Sequence, residues 1–231
     1  MSSSLVGSEM CIRDRFDLDG TLLDSAPDFI HCLNTLLEQN DKTKLPDDVI
    51  RQNVSDGSIK LIEIGFKIKS SNNDFADLRR QLLELYDKNL LKWADIFDDV
   101  EDLINFIESQ NILWGVVTNK PSYFSKKILA RIPIFNNCAV LVTSDDVKNM
   151  KPDPEGISKA CDEIGVFPQN VIYVGDHIKD MIAAEKAGCL PIACRYGYYN
   201  DQKNDLKQYL YADSVRDLKT KICKVIDERQ R

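Results

Sequence analysis

From Trp93 onward, short apolar runs alternate with longer stretches of helical spacing, and this alternation restricts the fold more than any other feature. Leu113-Trp114-Gly115-Val116-Val117, Ala139-Val140-Leu141-Val142, Val171-Ile172-Tyr173-Val174 and Leu190-Pro191-Ile192-Ala193-Cys194 read as strands of buried character. Between them, Val100, Leu103, Ile104 and Ile107 are spaced for a helix. Ser122 to Ile132, Ile157 to Ile164 and Met181 to Ala187 read as further helices, the last stopped by Gly188. A final helix spans Val215 to Ile226 and runs into a charged tail. Strands alternating with helices predict an α/β fold, a parallel sheet with helices on both faces.

The stretch before Trp93 has a different texture. Asp24 or Ser25 is placed to cap a helix with Pro27 in its first turn, and Phe29, Ile30, Leu33, Leu36 and Leu37 follow at helical spacing. Residues 41–48 are a polar linker with Pro46. A helix starting at Val49 is broken near Ser55-Asp56-Gly57, and a further apolar run from Ile59 to Phe66 is read as helical after its neighbours. Residues 69–74 make a turn, and Leu78, Leu82, Leu85 and Tyr86 mark another helix. Residues 24–92 therefore read as an all-helical insert, with 16–23 and 93–231 forming the α/β core.

Ligands bind such a sheet outside the carboxyl ends of its strands, and four polar signals fall there. The first is Phe16-Asp17-Leu18-Asp19-Gly20-Thr21. At a strand end Asp17 and Asp19 share a face, and Gly20 permits a sharp turn. Two such carboxylates can hold a divalent cation, or divide into nucleophile and general acid/base. The others are Thr118-Asn119, Lys151-Pro152 and Gly175-Asp176-His177-Ile178-Lys179-Asp180. Taken singly, each has a plain structural explanation: Thr118-Asn119 as a helix cap, Lys151 as a surface lysine, Asp176 and Asp180 as capping or exposed acids. His177 is read as shaping its loop. Their coincidence at strand ends of one framework points to a site.

Composition narrows the chemistry. A net charge of −7 and a pI near 5.0 argue against nucleic acid or an anionic membrane as partner. No apolar run approaches the ~20 residues that span a bilayer, and the start does not read as a signal peptide. Seven cysteines without a C-x-x-C read as reduced, mostly buried thiols of a cytoplasmic protein. With only two histidines, any metal is expected on carboxylates.

Residues 1–15 are atypical. A central parallel strand should be apolar, yet Arg13, Asp14 and Arg15 precede Phe16, and burying those charges unpaired is costly. The expectation is either a short, distorted strand or a segment that is not the native start.

The stretches FDLDGTLLDSAPD (16–28), VVTNKP (116–121), KPDP (151–154) and YVGDHIKDMIAAEKAG (173–188) together resemble the haloacid dehalogenase superfamily, in particular its phosphatases related to phosphoglycolate phosphatase. That resemblance implies a Rossmann-like core with residues 24–92 as an inserted all-helical cap domain. It implies Asp17 as nucleophile, forming an aspartyl-phosphate, and Asp19 as the acid that protonates the leaving alcohol and then activates water. Thr118 and the Asn119 amide would hold phosphoryl oxygens, and Lys151 would offset developing charge. Asp17, the Asp19 carbonyl oxygen and Asp176 would ligate Mg²⁺, with Thr21, Gly175 and Asp180 in support. Having Asp at 19 fits a phosphatase better than a dehalogenase. The substrate implied is a small phosphorylated metabolite, first of all 2-phosphoglycolate. Nucleotides, sugar phosphates or pyrophosphate, and an inactive phosphate- or metal-binding homologue, are the alternatives. Ser55-Asp56-Gly57 and Lys60 are candidate substrate contacts in the insert.

Overall fold

The computed structural model describes residues 13–198 and 206–229, with nothing of the Arg13 and Arg229 side chains. Six strands form one parallel sheet: β1 (Arg13–Phe16), β4 (Trp114–Val117), β5 (Val140–Val142), β6 (Val171–Gly175), β7 (Leu190–Cys194) and β8 (Leu210–Ala212). Their order is β5-β4-β1-β6-β7-β8, so β1 is central and the chain builds outward from it on both sides. Such a reversal of direction opens a crevice at the carboxyl ends of the strands. Helices α5 (Val100–Ser109), α6 (Ser122–Arg131), α7 (Glu155–Glu163), α8 (Ile178–Ala187) and α9 (Val215–Arg229) follow strands in the alternation the sequence predicts.

The charged β1 is regular rather than distorted. Arg13 to Phe16 stay in register with Val171 to Val174, and Asp14 to Phe16 with Trp114 to Val116. The asymmetry lies in its side chains, because Asp14 and Arg15 are both fully buried. Arg15 donates to the Asp14 carbonyl at 2.7 Å, while its Nε and Nη2 find no hydrogen-bond partner. Burial lowers its pKa, with Cys161 and Asp14 opposing that shift. The remainder of the atypical N-terminal segment, residues 1–12, lies outside the described residues.

The chain leaves the sheet through a two-residue strand β2 (Leu23–Asp24) and returns through β3 (Asp95–Ile96), the two pairing antiparallel. Between them lie α1 (Ala26–Gln39), α2 (Asp47–Arg51), a 3₁₀ turn at Val54–Asp56, α3 (Gly57–Phe66) and α4 (Phe75–Asn89). The break at Ser55-Asp56-Gly57 is thus a tight turn, and the apolar run after it is helical. At the start of α1, the Ala26 amide donates to Asp24 Oδ1 and to the Tyr198 hydroxyl, while Ser25 makes no side-chain cap. Asp28 is fully buried and accepts from the amides of Leu91, Trp93 and Ala94 at 2.7, 2.8 and 3.0 Å, tying the two ends of the helical layer together.

One apolar cluster runs from Phe16, Trp114 and Val174 through α5 and α9 and into α1, α3 and α4; a second lies under α7 and α8. The six described cysteines are free thiols, and Cys11 lies outside the described residues. Among the described residues, no helix is long and apolar enough to cross a membrane. Strands β2, β3 and β8 are additions to the elements the sequence predicts.

Candidate active site

The carboxyl ends of β1, β4 and β6 bring together the residues that the sequence singles out. Asp17 follows β1, its amide donating to Val174 O at 2.8 Å, which pins the loop to β6. Lys151 is its nearest counter-charge: Nζ lies 3.0 Å from Asp17 Oδ1 and 2.6 Å from Asp180 Oδ1. It also donates to Val117 O and to the Tyr173 hydroxyl at 3.0 and 2.9 Å. The side chain of Asn119 fixes the loop that carries Lys151, accepting from its amide at 3.0 Å and donating to its carbonyl at 3.1 Å. Lys151 is therefore a buried, multiply held cation rather than a surface lysine.

Burial pushes the Asp17 carboxyl up to about 6, with Lys151 opposing the shift. For Lys151, burial works against the charge, but Asp17 and Asp180 outweigh it and hold the ammonium well above its ordinary pKa. Asp176 is raised well above the usual carboxyl range by burial and by the nearby Asp180 and Asp17. Its Oδ2 accepts from the Tyr198 amide at 3.0 Å and from Ser55 Oγ at 2.9 Å. Its Oδ1 is buried without a hydrogen-bond partner.

Asp17, Asp176 and Asp180 offer carboxylate oxygens within 4.8 Å of one another. Three hard oxygen donors, one of them orphaned, fit a divalent cation of the Mg²⁺ type. The backbone makes room for this cluster. Gly20 sits at φ +82°, and a Cβ there would fall 2.3 Å from Asp176 Oδ2; one on Gly175 would fall 2.4 Å from Asp180 Cβ. Thr21 is buried in the same loop, its Oγ1 unpartnered and its carbonyl accepting from the Tyr196 hydroxyl at 3.0 Å.

Asp19 faces a different partner. Lys120 Nζ contacts both of its carboxylate oxygens at 3.0 Å and the Tyr86 hydroxyl of α4 at 2.8 Å. Lys120 belongs to the VVTNKP stretch, where nothing local marks it for a task; its partners Tyr86 and Asp19 come from distant parts of the chain. Thr118 is buried beside it, its Oγ1 accepting from the Lys120 amide at 3.2 Å, so it braces its own loop and does not cap α6, whose N-cap is Pro121. His177 caps α8, its Nδ1 accepting from the Lys179 amide and its own amide donating to Asp180 Oδ2.

The helical layer closes over this acidic floor to leave a cavity of ≈ 570 Å³. Ser55, Asp56 and Gly57 line it; Lys60 does not, and instead faces Glu63 at 3.7 Å. Asp56 is held well below the usual carboxylate range by His177 and Lys179, the latter at 2.9 Å.

The chain is similar to the N-acetylmuramic acid 6-phosphate phosphatase of Pseudomonas putida, 36% identical over 92% of this chain and 94% of that one. It is also similar to the phosphoglycolate phosphatase of Xanthomonas campestris, 37% identical over 79% of this chain and 82% of that one. In fold it matches the crystal structure of a predicted phosphoglycolate phosphatase from Haemophilus somnus, with a TM-score of 0.81 at 24% identity, covering 94% of this chain and all of the other. The family model for haloacid dehalogenase-like hydrolases matches residues 15–194, a span that holds every strand-end carboxylate described above. With that span and that arrangement of acids around a central strand, the chain belongs to the haloacid dehalogenase-like hydrolases.

Proposed function

We propose that this protein hydrolyses a small phosphate monoester in a Mg²⁺-dependent reaction through an aspartyl-phosphate on Asp17. The chain is a phosphoric monoester hydrolase of its family. The observation that carries the mechanism is the Lys151 ammonium held between Asp17 and Asp180 beside the orphaned Asp176 oxygen. Phosphoryl transfer requires an oxyanion nucleophile to meet a dianionic ester, so fixed positive charge and in-line placement supply most of the catalysis.

Asp17 is the nucleophile: burial makes its carboxylate reactive, and Lys151 keeps it ionised near neutral pH. Asp19, held by Lys120, gives its proton to the departing alkoxide and then takes one from the water that opens the acyl phosphate. Thr118 Oγ1 and the Asn119 amide hold the phosphoryl oxygens, and Lys151 offsets the charge that develops on them. Asp17 and Asp176, with the Asp19 carbonyl, would hold Mg²⁺, and Asp180 supports them. When bound, the ion supplies charge neutralisation between nucleophile and ester.

Two substrate readings follow from the relatives. A 2-phosphoglycolate substrate is the expectation from the sequence motifs. The cavity favours the other reading, a sugar-acid phosphate such as N-acetylmuramic acid 6-phosphate, because ≈ 570 Å³ is far more than a two-carbon ester fills. The relative of that name also aligns over more of the chain.

The test is phosphate release from a panel of p-nitrophenyl phosphate, 2-phosphoglycolate, N-acetylmuramic acid 6-phosphate, a nucleotide and pyrophosphate, with and without Mg²⁺. Turnover that needs Mg²⁺ and vanishes in Asp17→Asn is the expected result. Turnover surviving that substitution would remove Asp17 as nucleophile.

A further inference from the structure

Four basic side chains other than His177 line the site cavity: Lys120, Lys151, Lys179 and Arg79. Three are neutralised in place, Lys120 by Asp19, Lys151 by Asp17 and Asp180, and Lys179 by Asp56. Arg79 is different. Its Nε donates to Ser58 Oγ at 2.9 Å, and among the described residues no carboxylate lies within ion-pair distance of it. Arg79 is half-buried on α4 and, among the described residues, carries no ion pair, so it is not one of the paired structural charges.

Its position relative to the chemistry can be traced in two ways. Arg79, Leu83 and Tyr86 lie on one face of α4 and all line the cavity. Tyr86 touches Lys120, which holds Asp19, and Arg79 stands seven residues away, about 10 Å along the helix axis. The turn into α3 gives the second trace. Ser55 donates to Asp176, and Ser58, three residues on, accepts from Arg79. One short segment thus touches the metal acids at one end and orients the guanidinium at the other.

We propose that Arg79 is the specificity-determining residue of this site, and that it binds a carboxylate carried by the leaving group of the substrate. This rests on the phosphomonoesterase reading above and deepens it. A guanidinium with Nε already fixed presents its two remaining nitrogens as a fork, the geometry that matches a carboxylate. The cavity of ≈ 570 Å³ that Arg79 lines is larger than glycolate fills, so the group that it holds is taken to be longer than two carbons. The leaving group is of sugar-acid size, with its carboxylate remote from the ester. Arg79 also lines a neighbouring groove with Ile59, Leu83 and Phe124, which gives the apolar part of such a group a wall.

The test uses the full chain with two hexosamine 6-phosphates that differ only in a lactyl ether carboxylate, beside p-nitrophenyl phosphate and 2-phosphoglycolate. Wild-type protein is expected to prefer the carboxylate-bearing sugar through KM. In Arg79→Met that ester's KM rises about 10-fold or more with kcat little changed, while the other three substrates stay within about twofold. Arg79→Lys, which keeps the charge but not the fork, falls between. The same contact is read without turnover by calorimetry of the carboxylate-bearing ester on Asp17→Asn, where adding Arg79→Met weakens binding by a similar factor. Equal effects on both sugars, or none on either in kinetics and calorimetry, would overturn the proposal. Failure of the phosphomonoesterase reading shows separately, as absent Mg²⁺-dependent turnover of p-nitrophenyl phosphate by wild-type protein.

Discussion

Lys120 grips Asp19 through both carboxylate oxygens, each 3.0 Å from its ammonium. The lysine is anchored from the helical layer by the Tyr86 hydroxyl, and it lies 4.7 Å from the Tyr86 ring centroid and 5.3 Å from that of Phe29. The orientation of the proposed general acid is thereby set by a residue of α4. Lys120→Met is predicted to lower kcat about 10- to 100-fold on p-nitrophenyl phosphate with a smaller change in KM. A steady-state comparison with wild type checks this, circular dichroism verifying the fold; an unchanged kcat would show that Asp19 finds its place unaided.

The acids of the proposed metal site make stability depend on pH in a definite direction. Burial raises Asp17 to about 6 and Asp176 well above its ordinary value, so the folded state binds their protons more tightly than the unfolded chain does. That contribution is full below the unfolded carboxyl pKa of about 4 and is lost as pH rises through about 6 and beyond. In chelator, Asp176→Asn is predicted to flatten this part of the stability–pH curve. Saturating Mg²⁺, proposed to bind the ionised acids, should raise the Tm of wild type more at pH 7.5 than at pH 5. Thermal unfolding across pH with and without the ion measures both effects, and a Tm gain independent of pH would contradict the assignment.

Gly20→Ala should damage the same cluster by steric means. At φ +82° the new Cβ would lie 2.5 Å from Asp176 Cγ, and that carboxyl is held in place by Tyr198 and Ser55. A loss of about 2–4 kcal/mol is expected from strain and displacement together. Urea denaturation gives the stability, and Mg²⁺ titration should show weakened binding.

Asp28 offers a test of how the helical layer is fastened. Asp28→Ala leaves three amides without their acceptor, a predicted cost of about 3 kcal/mol or more. Limited proteolysis should then cut first between Leu90 and Ala94, a segment expected to resist in wild type.

The central strand invites the opposite kind of change. Arg15 is buried with Nε and Nη2 unpartnered, so its charge is held at a cost. The double substitution Asp14→Val, Arg15→Met is predicted to stabilise by about 1–4 kcal/mol. Chemical denaturation reads this directly, and a destabilised double variant would show that the two side chains form a supportive network.

The sheet was legible because parallel strands buried on both faces spell themselves out as apolar runs, as in Val171 to Val174. Strands β2, β3 and β8 were not. Two or three residues carry no period, and pairing across the chain defines them. In the site, the acids and Lys151 stand at the ends of readable strands. Lys120, Tyr86 and Arg79 depend on how α4 packs over the core, which no local pattern encodes. Asp14 and Arg15 misled for the converse reason: propensity argued against a regular strand, and pairing on both sides imposed one.

The pairing of Asp24 with Asp95 has a consequence for inheritance as well as for folding. A chain that departs from and rejoins its scaffold at adjacent backbone positions behaves there as a socket. Whatever is plugged between those two residues needs only matching ends, so the residues proposed to choose among esters can be exchanged while Asp17, the proposed nucleophile, stays where it is. Grafting the segment between Asp24 and Asp95 from a relative of different preference tests whether the proposed specificity travels with it.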